Sequence, residues 1–130
     1  MKDINLTHAF AIALGATLGA WLRWILGVFF NSVMPHLPLG TLIANLSGGL
    51  MMGIALGVFL TGQLDNQTMR LLITTGFLGG LTTFSAFSGE GLILLIKQEY
   101  GWMLVHTLSH VFGALLMAVA GYYLVQLIRT

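Results

Sequence analysis

The chain has 130 residues, of which 57% are hydrophobic and only 7% charged, with a net charge of +1 and no cysteine. Soluble domains place charge at roughly 25% of positions, and a chain this short cannot hide so much apolar surface from water, so its solvent is lipid. The absence of cysteine excludes disulfide and thiolate chemistry, and the near-zero charge leaves no basic footprint for nucleic acid.

A helix needs roughly 20 apolar residues to cross the hydrocarbon of a bilayer. Lys2 and Asp3 precede a first uncharged run, Ile4 to Leu22. That run is too long for a signal-peptide core and no A-x-A site closes it, so it is expected to remain as the first span. The next uncharged run, Trp24 to Leu64, exceeds one span, and Pro35 and Pro38 mark a turn over Asn31–Pro38. Two further runs, Leu71 to Gly89 and Tyr100 to Ile128, follow. The expected architecture is all-α and integral to the membrane, one domain over 1–130 with spans near 5–30, 39–61, 69–96 and 100–128. Thr61–Asn66 and Lys97–Gly101 serve as the polar connections.

Gly15 and Gly19 share one face of the first span, and Gly49, Gly53 and Gly57 make consecutive GxxxG steps in the second. In lipid such faces let backbones approach closely, because packing replaces the hydrophobic drive between helices. They predict a tight bundle and say nothing of its activity. The centre of the third span, Gly76-Phe77-Leu78-Gly79-Gly80-Leu81-Thr82-Thr83-Phe84-Ser85-Ala86-Phe87-Ser88, is different. Paired glycines followed by paired β-branched threonines weaken a helix. A break in lipid is tolerated only where the freed backbone groups are buried in protein or line a cavity. It would present a helix N-terminus to anions and free carbonyls to cations. An unbroken helix with a glycine-rich face is the alternative.

If all four spans cross, Lys2, Arg70 and Arg129 lie on one side, with Lys97 opposite and Arg23 leaning toward it. This bias is small under the positive-inside rule. It predicts a chain that inserts in both orientations and pairs with an inverted copy of itself.

Polar residues inside the membrane are costly and therefore candidates for function. Asn45 lies mid-span, one turn after Thr41. Its amide can donate to an anion or bond a neighbouring helix. Phe84 and Phe87 share a face beside the weak spot, where their electropositive ring edges can meet a small anion; core packing is the plainer reading. Ser85 and Ser88 offer hydroxyls on an adjacent face. Arg23 either snorkels, caps another helix or steers anions. Glu90, the acid well inside the apolar runs, is a carrier group in a proton-coupled exporter and otherwise faces water near a helix end. His106 and His110 have the i, i+4 spacing of a helical metal pair, but zinc asks for a third and usually a fourth ligand, and no nearby acid or cysteine supplies one. Lining a polar path or bonding across helices suits them better. No catalytic triad, phosphate loop or paired-carboxylate site is present, so the chain is not expected to be an enzyme.

The run Gly79-Gly80-Leu81-Thr82-Thr83-Phe84-Ser85-Ala86-Phe87-Ser88-Gly89-Glu90 resembles the signature of the CrcB/Fluc fluoride channel family. Gly40-Thr41-Leu42-Ile43-Ala44-Asn45 and Arg23-Trp24 resemble its other motifs, and length, span count and motif order match from end to end. The resemblance implies a dual-topology antiparallel homodimer in the inner membrane of a bacterial-type cell, with two fluoride pores lined by both subunits. Asn45, Phe84 and Phe87 then match pore positions. Gly79 and Thr82 match positions whose carbonyls hold a central sodium ion. Thr41, Ser85 and Ser88 match polar pore positions, and Arg23 and Glu90 match charged positions near the vestibules. The chain departs from the family in the fourth span, where His106, His110 and Ala114 replace part of a hydroxyl track. The two histidines are the donors available there.

The implied function is passive fluoride efflux. Fluoride enters acidic surroundings as HF, dissociates in the cytoplasm, and leaves through an anion pore driven by the membrane potential. A rival class, the small proton-coupled multidrug exporters, shares size and topology but wants an acid in the first span, where Ile4–Leu22 has none. A non-transporting membrane subunit would leave Asn45, Phe84 and Phe87 unexplained.

Overall fold

The apolar runs fold as helices whose ends are set by the polar residues between them. The computed structural model describes residues 4–130; Lys2, one of the charges used for orientation, lies outside the described residues. Helix α1 spans Leu6–Phe30, and the Asn5 side chain accepts the Thr7 N–H at 2.8 Å to cap it. Helix α2 spans Leu39–Phe59 and opens directly after Pro38, which has no side-chain cap to offer. Asn31 supplies one from the preceding turn, its Oδ1 accepting the Thr41 N–H at 3.0 Å. At the far end, Arg70 donates to the carbonyls of Phe59 and Leu64 at 2.9 and 3.1 Å, closing α2 with a cation as the helix dipole favours. Arg70 thus has a structural task besides any bearing on orientation.

The third span is interrupted. Helix α3, Gln67–Leu71, runs into a π-helical stretch, Leu72–Leu78, and then a single turn, α4, Gly79–Leu81. Thr82 and Thr83 are extended, with ψ of 154° and 117°. Helix α5, Phe84–Ile96, restarts with the Thr83 hydroxyl accepting the Ala86 N–H at 3.0 Å. The expected weak spot is therefore a true break, and the second threonine is the cap of the helix beyond it. Helix α6 spans Tyr100–Arg129. By length and composition four segments suffice to cross a membrane, Leu6–Phe30, Leu39–Phe59, Gln67–Ile96 and Tyr100–Arg129, within two residues of the expected spans at every end.

Packing is closest between α2 and α6 and between α1 and the π-helical stretch. Glycine makes both approaches possible. A Cβ at Gly49 would stand 2.6 Å from the Ala114 carbonyl oxygen, and one at Gly15 would stand 2.6 Å from the Phe77 nitrogen. The fully buried core is small, built from Ala44, Leu78 and Leu81 where the second and third spans meet. Most large apolar side chains of α1 and α6 are exposed, as lipid-facing residues are.

Between α5 and α6 the chain reverses on Gln98, whose φ is 57°. The Glu99 N–H reaches the Leu94 carbonyl at 2.9 Å and the Gln98 N–H reaches Leu95 at 3.0 Å, a Schellman ending. Glu99 also holds His36 of the first connection at 2.7 Å, and His36 stacks on Trp102.

Candidate functional site: a polar seam at the helix break

The break frees backbone groups of Thr83, and Asn45 takes both. The Thr83 N–H donates to Asn45 Oδ1 at 2.7 Å, and Asn45 Nδ2 donates to the Thr83 carbonyl at 3.1 Å. These two bonds fix which end of the amide is which. The remaining hydrogen of Nδ2 points to His110 Nδ1 at 2.9 Å, which therefore accepts. A neutral His110 then carries its proton on Nε2, and that buried atom has no partner. The bond Thr83 makes to Asn45 also withdraws its N–H from the Gly79 carbonyl, four residues back. Arg23 donates to the next carbonyl, Gly80, at 3.1 Å, so the capping role is the one its geometry displays.

Glu90 borders the smaller cavity, and both of its carboxylate oxygens have partners in the protein. One carboxylate oxygen accepts the Thr41 hydroxyl at 2.5 Å and the other lies 3.0 Å from His106 Nε2. The expectation that no acid stands near the histidine pair is overturned for a simple reason. Glu90 and His106 are equidistant in sequence from Gln98, so the α5–α6 hairpin sets them opposite one another. The Nδ1 atom of His106 is buried without a partner. Phe87 stacks on the His106 ring, centroids 4.9 Å apart at 7°, and meets His110 at 5.1 Å.

This seam separates two cavities. One, of about 430 Å³, is lined by Asn45, Gly79, Thr82, Phe84, Phe87 and His110 among others. The other, of about 390 Å³, is lined by Arg23, Trp24, Asn31, Thr41 and Glu90 among others. The Phe84 ring stands 5.3 Å from Phe87 but is 78% exposed, so core packing within one chain does not explain it. Gly79 and Thr82 border the larger cavity. Ser85 and Ser88 line neither cavity: Ser85 meets the Thr83 hydroxyl at 3.2 Å, and Ser88 donates to the Phe84 carbonyl. The pairing of Thr83 with Asn45 was not legible in the sequence, because the two lie in different helices with no local signal.

These features define a multi-pass membrane protein in which a broken helix brings backbone and polar side chains together within the bundle. The chain belongs to the family described as CrcB-like protein, Camphor Resistance (CrcB), whose profile matches residues 10–122. It is 52% identical over 118 residues to the "Fluoride-specific ion channel FluC" of Aromatoleum aromaticum, covering 91% of this chain and 90% of that one. To the protein of the same name from Cupriavidus pinatubonensis it is also 52% identical over 118 residues, covering 91% and 94%. A third, from Nitrosospira multiformis, is 50% identical over 111 residues, covering 85% and 87%.

Proposed function

We propose that this chain is a fluoride-selective channel for passive efflux of cytoplasmic fluoride, working as an antiparallel homodimer. The observation that carries this reading is the meeting of Asn45, His110 and the two phenylalanines on one cavity, in a chain half identical to proteins named as fluoride channels. Fluoride is small and holds its water tightly, so a pore must offer donors in place of the shell it strips. The unpartnered Nε2–H of His110 and the edges of Phe84 and Phe87 are such donors, the Asn45 amide joins them when the N–H it gives to His110 turns to the ion, and none carries a fixed charge. Binding is then favourable yet escapable, as conduction demands. Thr41 adds a hydroxyl to the smaller cavity, Ser85, Ser88 and His106 stand beside the two linings rather than on them, and Arg23 and Glu90 flank the entrance.

The dimer is supported by the breadth of exposed apolar and aromatic surface around the larger cavity, Phe84 above all, and its antiparallel sense by the small Lys/Arg bias. A sodium ion at the dimer centre suits the carbonyls of Gly79 and Thr82, because hard cations take oxygen ligands. Gly79 has lost the N–H donor that an unbroken helix would give it. The exporter reading is disfavoured, since the intramembrane acid Glu90 already has partners on both oxygens.

The test is ion flux from liposomes carrying purified protein. Fluoride should leave rapidly down its gradient, with negligible chloride flux and no proton gradient required. Electroneutral, strictly proton-coupled flux would overturn the channel reading.

A further inference from the structure

Glu90, His106 and His110 each present a metal-ligating atom to the wall between the two cavities, all within 4.8 Å of one another. Glu90 and His106 are already 3.0 Å apart. Around a tetrahedral zinc ion, with bonds of roughly 2.0–2.2 Å, neighbouring ligands sit roughly 3.3–3.5 Å from each other. Closure therefore asks for about 1 Å of side-chain movement by the most distant ligand. The histidines are 0% and 4% exposed, and each keeps a buried ring nitrogen without a partner. Buried polar atoms in native proteins rarely go unpaired, so Nε2 of His110 points to a guest, while His106 turns its Nε2 to Glu90.

We propose that these three side chains form a site for a borderline divalent cation such as Zn²⁺, and that filling it closes the fluoride path. Two imidazoles and one carboxylate are the donor set that Zn²⁺, Ni²⁺ and Cu²⁺ accept and that Na⁺ and Mg²⁺ do not. Three protein ligands leave a fourth position for water or fluoride. Glu90 borders the smaller cavity and His110 the larger, so an ion reaches the site from either. Closure follows from the hydrogen bonding. An imidazole bound through Nε2 carries its proton on Nδ1, where it would face the Asn45 N–H. Metal capture therefore parts His110 from Asn45 and takes the unpartnered Nε2 of His110 that fluoride would use. The closure rests on the channel reading; the binding does not.

The protein without a histidine tag, titrated with Zn²⁺ by calorimetry, should bind one ion per chain. His106→Gln and Glu90→Gln should each weaken that binding by roughly tenfold or more. In liposomes, Zn²⁺ should slow fluoride efflux several-fold and EDTA should restore it. Absent or variant-independent binding overturns the site, and binding with unslowed efflux overturns the closure. If a variant fails to fold, electron paramagnetic resonance of Cu²⁺ on the unaltered protein decides: two imidazole nitrogens support the site, and none overturns it. Protein that binds Zn²⁺ but passes no fluoride when metal-free would contradict the channel and leave the site standing.

Discussion

Asn45 and Thr83 hold each other by two hydrogen bonds across the break in the third span, one accepted and one donated by the same amide. A broken helix would otherwise expose these groups to a medium with no hydrogen bonds to give. The residue offered as an anion donor is also the clasp of the break, so function and stability are joined there.

Replacing Asn45 should separate the two roles. Asn45→Leu leaves the Thr83 N–H and carbonyl unpaired, at about 1–3 kcal/mol for each buried group. Asn45→Asp keeps the acceptor for the N–H but loses both donors and sets a charge against the Thr83 carbonyl. Thermal unfolding in detergent should therefore fall for Leu, and fluoride flux should be lost for both. A Leu variant that melts with the parent would contradict the clasp.

Gly49 tests the helix packing. With the Ala114 carbonyl 2.6 Å from where a Cβ would sit, Gly49→Ala forces α2 and α6 apart and should cost about 1–3 kcal/mol, as overpacking does. Gly101→Ala, with open space at that position, should stay within about 0.5 kcal/mol of the parent. Equal unfolding in denaturant for the two variants would tell against the close approach.

Gln98 sits in the left-handed region without being glycine, a conformation that strains L-residues by roughly 1–2 kcal/mol. Gln98→Gly should raise stability by about 1 kcal/mol and leave fluoride flux at the parent rate. A destabilised Gly variant would mean that the Gln98 side chain contributes more than its backbone strain costs.

Dual topology is open to cysteine labelling, since the chain has no cysteine of its own. Asn66 caps α3 through the Met69 N–H and is better left intact. Gln63→Cys, exposed in the connection before it, should react with an impermeant reagent from both sides of sealed vesicles. Labelling from one side alone would overturn the antiparallel dimer.

The spans were legible because lipid imposes length and apolarity on each crossing, and Pro35 and Pro38 divided the long second run. The break was legible in part: Gly79, Gly80, Thr82 and Thr83 marked the place, while an unbroken helix remained open. The π-helical stretch before it, which packs on α1, has no counterpart in residue type. The approach of Glu90 to the histidine pair was missed because the acid lies on a different helix, sixteen residues before His106. Its position relative to Gln98 held the information, since residues equidistant from a tight turn face each other. The Asn45–Thr83 clasp was beyond reading, because it depends on the crossing of two helices. The Schellman turn at Gln98 carried no glycine to signal it.

Fluoride efflux from liposomes carrying Phe84→Ile or Phe87→Ile, set beside the parent, tests the aromatic anion path most directly. Isoleucine keeps much of the apolar bulk, and exchanges of this kind usually cost under about 1.5 kcal/mol, but it has no electropositive ring edge. Both variants should elute as the parent does and pass fluoride much more slowly. Efflux at the parent rate from two well-folded variants would contradict a role for the rings in conduction and return Phe84 and Phe87 to packing alone.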